Sequence, residues 1–205
     1  MKNIIIAGTG RAGKSTLAKK IKETLNYFVI NNDKLVATFG EAYPQLDIWI
    51  GNGEKSIENI APFIGHFLGM FSSQDGCGLF PYTHGALTEN PFVLEGWSFD
   101  FEQIVPILKM YGIEDLKEKF ILIGLVLNNK TPDELVSDMK KYDTKHDWTY
   151  GFDDNDLKTL AEENIAYSKH TSEYLTKHGF TLYDTSTKRE QVFNEIINDI
   201  KSKLV

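Results

Sequence analysis

The stretch IIIAGTGRAGKSTLAKKI, residues 4–21, joins a short apolar run to an amphipathic pattern through a loop containing three glycines. Residues 3–7 show no polar alternation, which predicts a strand buried on both faces. Residues 14–25 set Leu17, Ala18, Ile21 and Leu25 on one side of a helix. Between them stand Gly8, four residues, then Gly13, Lys14 and Ser15, the phosphate-binding spacing G-x-x-x-x-G-K-[ST]. Glycines let such a loop fold into a cup of inward N–H groups, the helix adds its positive end, and Lys14 supplies a cation for terminal phosphates. Gly8, Thr9, Gly10, Arg11, Ala12, Gly13, Lys14, Ser15 and Thr16 would then hold a nucleotide, with the Ser15 hydroxyl a ligand for Mg2+.

Beyond residue 25, strand and helix patterns alternate. Apolar runs recur at residues 27–31, 91–95, 120–127 and 180–184, and helical patterns cover 14–25, 56–71, 131–142, 154–178 and 188–204. Five buried strands with intervening helices predict an α/β fold around a parallel sheet. In 56–71, Pro62 marks a helix start or a kink, and Gly65 and Gly69 permit close helix contact. The connections 34–90 and 128–179 exceed a plain crossover, and such excursions are where α/β proteins place specificity.

The 205 residues, 41% of them hydrophobic, suffice for a single domain with one well-filled core. A formal charge of −7 without a basic run predicts no nucleic-acid partner and no membrane partner. The lone Cys77 excludes an internal disulfide and reads as a buried small hydrophobe. A soluble, cytoplasmic protein is expected, monomeric or homodimeric, binding ATP and a small molecule.

On its glycine-rich loop and the strand and helix that flank it, the chain resembles the P-loop NTPase superfamily. A regulatory GTPase is disfavoured: no convincing D-x-x-G exists, and NNKTPD misplaces the Asp of N-K-x-D. The better resemblance is to adenylate-kinase-like small-molecule kinases. It implies a three-layer fold with five parallel strands ordered 2-3-1-4-5, an acceptor-binding insertion (34–90), a lid (128–153), and ATP with Mg2+. FVLEGWSFD also resembles the third-strand motif F-x-L-D-G-F-P-R of nucleotide kinases, with Glu95 for the Asp, Trp97 for the aromatic and Phe99 for the Arg.

That last replacement bears on the acceptor. The Arg of the motif grips a monophosphate, and this chain has two arginines in all, Arg11 and Arg189. Desolvating a phosphate without bidentate donors is unfavourable. The expected acceptor therefore presents a hydroxyl, a nucleoside being the favoured case; a nucleoside monophosphate kinase and a nucleotide-binding regulator without transfer are the alternatives.

For a hydroxyl acceptor, Asp33 after the second strand is the candidate base, with an N-cap over 34–39 as its other reading. Glu95 would hold Mg2+ with Ser15 or contact the acceptor; its other reading is an acid paired to a structural donor. Arg11 either curls toward the phosphates as a catalytic cation or points to solvent. By the resemblance Thr185 to Arg189 wrap the adenine, Arg189 stacking on it, while Asp184 to Thr187 equally suit capping of the last helix. Asp100 reads as a cap. Lys140, Lys141, Lys145 and His146 stand where the family's lid brings arginines, and also read as a solvated face. Tyr43, Trp49, His66 and Trp97 are acceptor-pocket candidates, and His84 joins no metal-ligand spacing.

Overall fold

The computed structural model describes residues 2–49, 53–72, 91–145 and 147–204. Five strands form one parallel sheet: β1 (Asn3–Gly8), β2 (Phe28–Asn31), β3 (Phe92–Glu95), β4 (Phe120–Val126) and β5 (Thr181–Asp184). Their order is β2-β3-β1-β4-β5, as expected. The described helices are α1 (Lys14–Leu25), α2 (Asn32–Ala42), α3 (Gly53–Ser72), α4 (Phe101–Lys109), α5 (Leu116–Lys119), α6 (Pro132–Tyr142), α7 (Asp154–Lys177) and α8 (Arg189–Leu204). Cys77 and His84 lie outside the described residues, as does His146. Among the described residues no helix is long and apolar enough to cross a membrane.

Strand periodicity builds the three layers, because successive side chains leave opposite faces of a sheet. Ile4, Ile6, Val93, Ile121, Ile123 and Leu125 enter one core with Leu17 and Ile21 of α1 and Phe193, Ile196 and Ile200 of α8. Ile5, Ala7, Phe92, Leu94, Phe120 and Leu122 enter the other with Ile60, Ile64 and Leu68 of α3 and Ile104 and Leu108 of α4. Both faces being covered explains why the strands read as continuous apolar runs.

Helix α3 starts nine residues before Pro62, so the proline sits inside it rather than at its start. Pro62 cannot donate to the carbonyl of Glu58, four residues earlier, and that carbonyl accepts from Gln103 Nε2 at 3.3 Å. Gly65 and Gly69 meet Ile107 and Tyr111, so α3 and α4 pack where their small residues allow it.

The register aligns the carboxyl ends that matter. Ile6 pairs with Glu95, Asn31 with Glu95, and Gly8 with Leu125. Phe193, wholly buried, reaches from α8 to the loop after β1, its ring tip 2.9 Å from where a Cβ on Gly13 would lie. Phe193→Ala should cost about 3–5 kcal/mol, read as a lowered urea midpoint at unchanged slope; a loss under 1 kcal/mol, roughly the scale of a volume-conserving swap, would contradict this packing.

Candidate active site

The loop after β1 takes its shape from close backbone approach. Gly8 has φ 142°, and a Cβ there would stand 2.0 Å from the Leu125 carbonyl oxygen, so only glycine fits. Thr9 N–H donates to that same carbonyl at 2.9 Å, fastening the loop to β4. Thr9 Oγ1 donates to Ser168 Oγ at 3.1 Å, which fastens it to α7.

Helix α1 opens with Gly13 as its N-cap, without a side-chain cap and without an acid in its first turn. By contrast Asn31, Asp100, Asp115, Thr131 and Asp153 cap α2, α4, α5, α6 and α7. Amides at the start of α1 are thus left for an anion, and the helix dipole favours one there.

Lys14 lies over this loop, 8% exposed, donating from Nζ to the carbonyls of Thr9 (2.8 Å) and Gly8 (3.1 Å). Burial pushes its ammonium pKa down, against the opposing pull of Asp33 and Glu95. Glu95, 2% exposed, accepts from Ser15 Oγ at 3.2 Å on one oxygen and from Asn31 Nδ2 on the other. Ser15 and Glu95 therefore meet, two hard oxygen donors of the kind Mg2+ takes. Both of Glu95's oxygens have donors from neutral side chains, while Lys14 is within electrostatic reach.

Asp33 is not the cap of α2. Asn31 is, accepting from Lys34 N–H at 2.8 Å, because the helix begins one residue before Asp33. The Asp33 carboxylate is turned inward, accepting from Trp97 N–H at 3.3 Å. Burial pushes its pKa up, while Lys14 and the Trp97 N–H pull it down. A half-buried carboxyl of raised basicity within electrostatic reach of Lys14 is equipped to take a proton.

Arg11 takes neither expected course. It adopts φ 63° and forms ion pairs with Asp143 and, at 3.6 Å, with Asp147, both in the α6–α7 connection. The cause is desolvation: a guanidinium only 17% exposed requires carboxylate partners. Asp143 is itself held by Thr149 Oγ1, and Asp147 by Thr144 N–H and Oγ1 at 2.9 and 3.0 Å. The two lysines that end α6 lie elsewhere: Lys140 pairs with Asp154 at 2.6 Å and Lys141 lies over the Tyr142 ring, so Arg11 is met by acids and neither of these lysines joins it.

Arg189 reaches the same loop, donating from Nη2 to the Arg11 carbonyl at 3.2 Å. Preceding it, Thr185 Oγ1 donates to the Ala12 carbonyl at 2.8 Å, and Asp184 accepts from Ser186 and from Asn129. These side chains tie the turn after β5 to its surroundings, and α8 follows Lys188 at φ 48°. Asp100 does cap α4, accepting from Glu102 N–H at 3.0 Å. Of the pocket candidates, Trp97 stands beside Asp33, His66 is drawn to the Tyr111 hydroxyl at 2.8 Å, Tyr43 packs on Phe39, and the Trp49 backbone is held by Ser56.

One residue of the site has no signature in the sequence. Asn164 of α7 lies on Gly10, its Oδ1 2.3 Å from where a Cβ on Gly10 would be, and its buried Nδ2 has no partner. A side chain brought in from a separate helix by packing leaves no local spacing to read.

No protein-family model matches the sequence, and no curated protein matches it significantly. Among solved structures, shikimate kinase from Bacteroides thetaiotaomicron superposes with a TM-score of 0.55 at 14% identity, covering 99% of this chain and 98% of that one. A gluconokinase from Sinorhizobium meliloti gives a TM-score of 0.57 at 13% identity, covering 99% and 95%. At these identities the likeness shows the fold, and this chain has the P-loop kinase fold.

Because Arg11 joins the loop after β1 to the α6–α7 connection, Arg11→Ala should speed amide hydrogen exchange across residues 143–153 by about tenfold, the scale of one charge-assisted contact. Unchanged exchange there would mean that the connection is held by other contacts.

Proposed function

We propose that the protein is a kinase transferring the γ-phosphoryl group of ATP to a hydroxyl of a small molecule. The observation that carries this reading is the convergence of Lys14, Ser15, Asp33 and Glu95 at the carboxyl ends of β1, β2 and β3. The fold shared with two small-molecule kinases supports the class.

In this reading the uncapped start of α1 and residues 8–16 bind the phosphates, Lys14 turning from the Gly8 and Thr9 carbonyls to the β- and γ-oxygens. Ser15 and Glu95 would hold Mg2+, which neutralises phosphate charge when bound. Asp33 orients the acceptor hydroxyl and receives its proton as the oxygen bonds to the γ-phosphorus. The bond from that phosphorus to the β,γ-bridging oxygen breaks, and ADP leaves with its electron pair. Residues 34–90 form the acceptor side and residues 128–153 the lid. Arg11, once released by Asp143 and Asp147, adds charge over the migrating group, and Arg189 lies along the adenosine side.

The monophosphate alternative draws no support from the third strand. Phe99, where the phosphate-gripping Arg would stand, is 6% exposed and stacked on Phe101 at 5.5 Å, a core residue.

Lys14→Ala should abolish turnover without loss of folding, because removing the ammonium also removes its desolvation cost; calorimetry alongside an ADP-release assay checks both, and full activity would refute the phosphate role. Asp33→Asn should lower kcat about 10²–10⁴-fold at preserved ATP affinity. Activity that needs the ionised carboxylate falls as pH drops through the Asp33 pKa, which burial places above the ordinary Asp value. The acidic limb of the pH profile should vanish in the Asn variant, and a normal kcat would leave Asp33 with only the Trp97 contact.

A further inference from the structure

Three consecutive polar residues, Asn31, Asn32 and Asp33, lead from β2 into α2, and each bonds to β3 or the turn that follows it. Asn31 Nδ2 donates to Glu95, Asn32 Nδ2 donates to the Ser98 carbonyl at 2.8 Å, and Asp33 Oδ1 accepts from Trp97 N–H at 3.3 Å. Asn31 also caps α2, and Asp33 is the base of the kinase reading. Asn32 has neither task. Its position is one that an apolar side chain would suit: the buried residues of α2 are Asn32 and Val36, four positions apart on the inward face. The amide is wholly enclosed, yet of its two polar atoms only Nδ2 is bonded, and Oδ1 has no donor among the described residues. An enclosed amide oxygen without a donor is unfavourable, and a leucine there would avoid it.

What Asn32 supplies is a hold on the turn after β3. Gly96 lies against both Asn32 and Asp33: a Cβ on it would stand 2.7 Å from Asn32 Cβ and 2.9 Å from Asp33 Oδ1. Phe99 N–H donates to the Trp97 carbonyl at 3.1 Å, so residues 97–99 form one tight turn, with the Ser98 carbonyl inside it. The Trp97–Asp33 bond lies just beyond the usual N–H···O range and is too weak to fix a carboxylate alone. The shorter Asn32–Ser98 bond runs in the opposite direction one residue along, donated by α2 rather than accepted by it. Two adjacent bonds give the first turn of α2 and the turn after β3 two points of attachment, and two points fix a rotation that one leaves free.

Resting on the kinase reading, we infer that Asn32 is a positioning residue: through the Ser98 carbonyl it sets the Trp97 N–H against Asp33 Oδ1 and so aims the carboxylate at the acceptor hydroxyl. Being enclosed, Asn32 touches neither acceptor nor nucleotide, and its effect on turnover passes through Asp33. Misplacing a reacting group by about 1 Å lowers a rate about 10²-fold. Loss of this one donor therefore slows transfer while leaving nucleotide binding as it was.

The test compares Asn32→Leu, which keeps the side-chain bulk and removes the donor, with Asp33→Asn and with the two combined. Initial rates of label transfer from γ-labelled ATP with Mg2+ into a small-metabolite extract are measured, and exchange of the Trp97 amide is followed by NMR in the same proteins. Asn32→Leu should slow transfer about 10–100-fold at unchanged ATP KM. Exchange of the Trp97 amide should quicken about tenfold. In the Asp33→Asn background Asn32→Leu should slow transfer no further, because the group it positions is gone. A further loss of the same size there would make Asn32 a structural residue and overturn the inference, as would a normal rate or an unmoved Trp97 amide in Asn32→Leu alone. Asn32→Ala, which removes the donor without filling the space, should give the same pattern and decides the matter if the leucine variant does not fold. Transfer that Asp33→Asn leaves normal removes the base and the inference while leaving the kinase class. No transfer by the unsubstituted protein, with ATP binding demonstrated by titration, overturns the kinase reading and the inference together.

Discussion

The burial of one ammonium organises this end of the molecule. The loop that carries Lys14 packs between two covered layers, and a cation of 8% exposure is costly unless compensated. Two carbonyls of its own loop and the nearby carboxylates of Asp33 and Glu95 provide that compensation. The consequence reaches into the sheet. For Glu95 to lie near Lys14, β3 must neighbour β1, and for Asp33 to do so, β2 must lie outside β3. The order β2-β3-β1 satisfies both.

Strands and helices were legible where the period was unbroken. Helix α1 begins and ends where the Leu17, Ala18, Ile21 and Leu25 pattern predicts, and each apolar run is a strand of the sheet. Readings that depended on a single side chain's partner were less legible, since partners lie far along the chain. Asn31 and Asp33 are both good caps, and two positions decide which one faces the site. Arg11 could be read as phosphate-facing or solvent-facing because its acids come from residues 143 and 147, more than a hundred positions away. His66 looked available for a ligand until the end of α4 brought Tyr111 to it. Asn164 had no signature at all, because what marks it is the missing Cβ of Gly10.

The ion pairs of Arg11 also give the α6–α7 connection a defined resting place. Its exposed aromatics, Trp148 at 63% and Tyr150 at 60%, are held outward while Asp143, Thr149 and Asp147 bind inward. Phosphates arriving at residues 8–16 would compete with these two acids for the same guanidinium. Nucleotide binding and the position of the connection are then linked by one side chain, and linkage of this kind is reciprocal.

A guanidinium is the natural partner of an anion, and a chain with two of them can serve one anionic ligand well. Both are gathered around the loop after β1, Arg11 by its side chain and Arg189 through the Arg11 carbonyl, so in the proposed reading the triphosphate is the anion they would serve. On the opposite side Phe99 fills with a buried ring the place where a phosphate-binding Arg would stand, and it could not be changed to Arg without placing an unpaired charge beside Phe101. A binding site for an anion there would require repacking α4 against β3, not the exchange of one exposed residue.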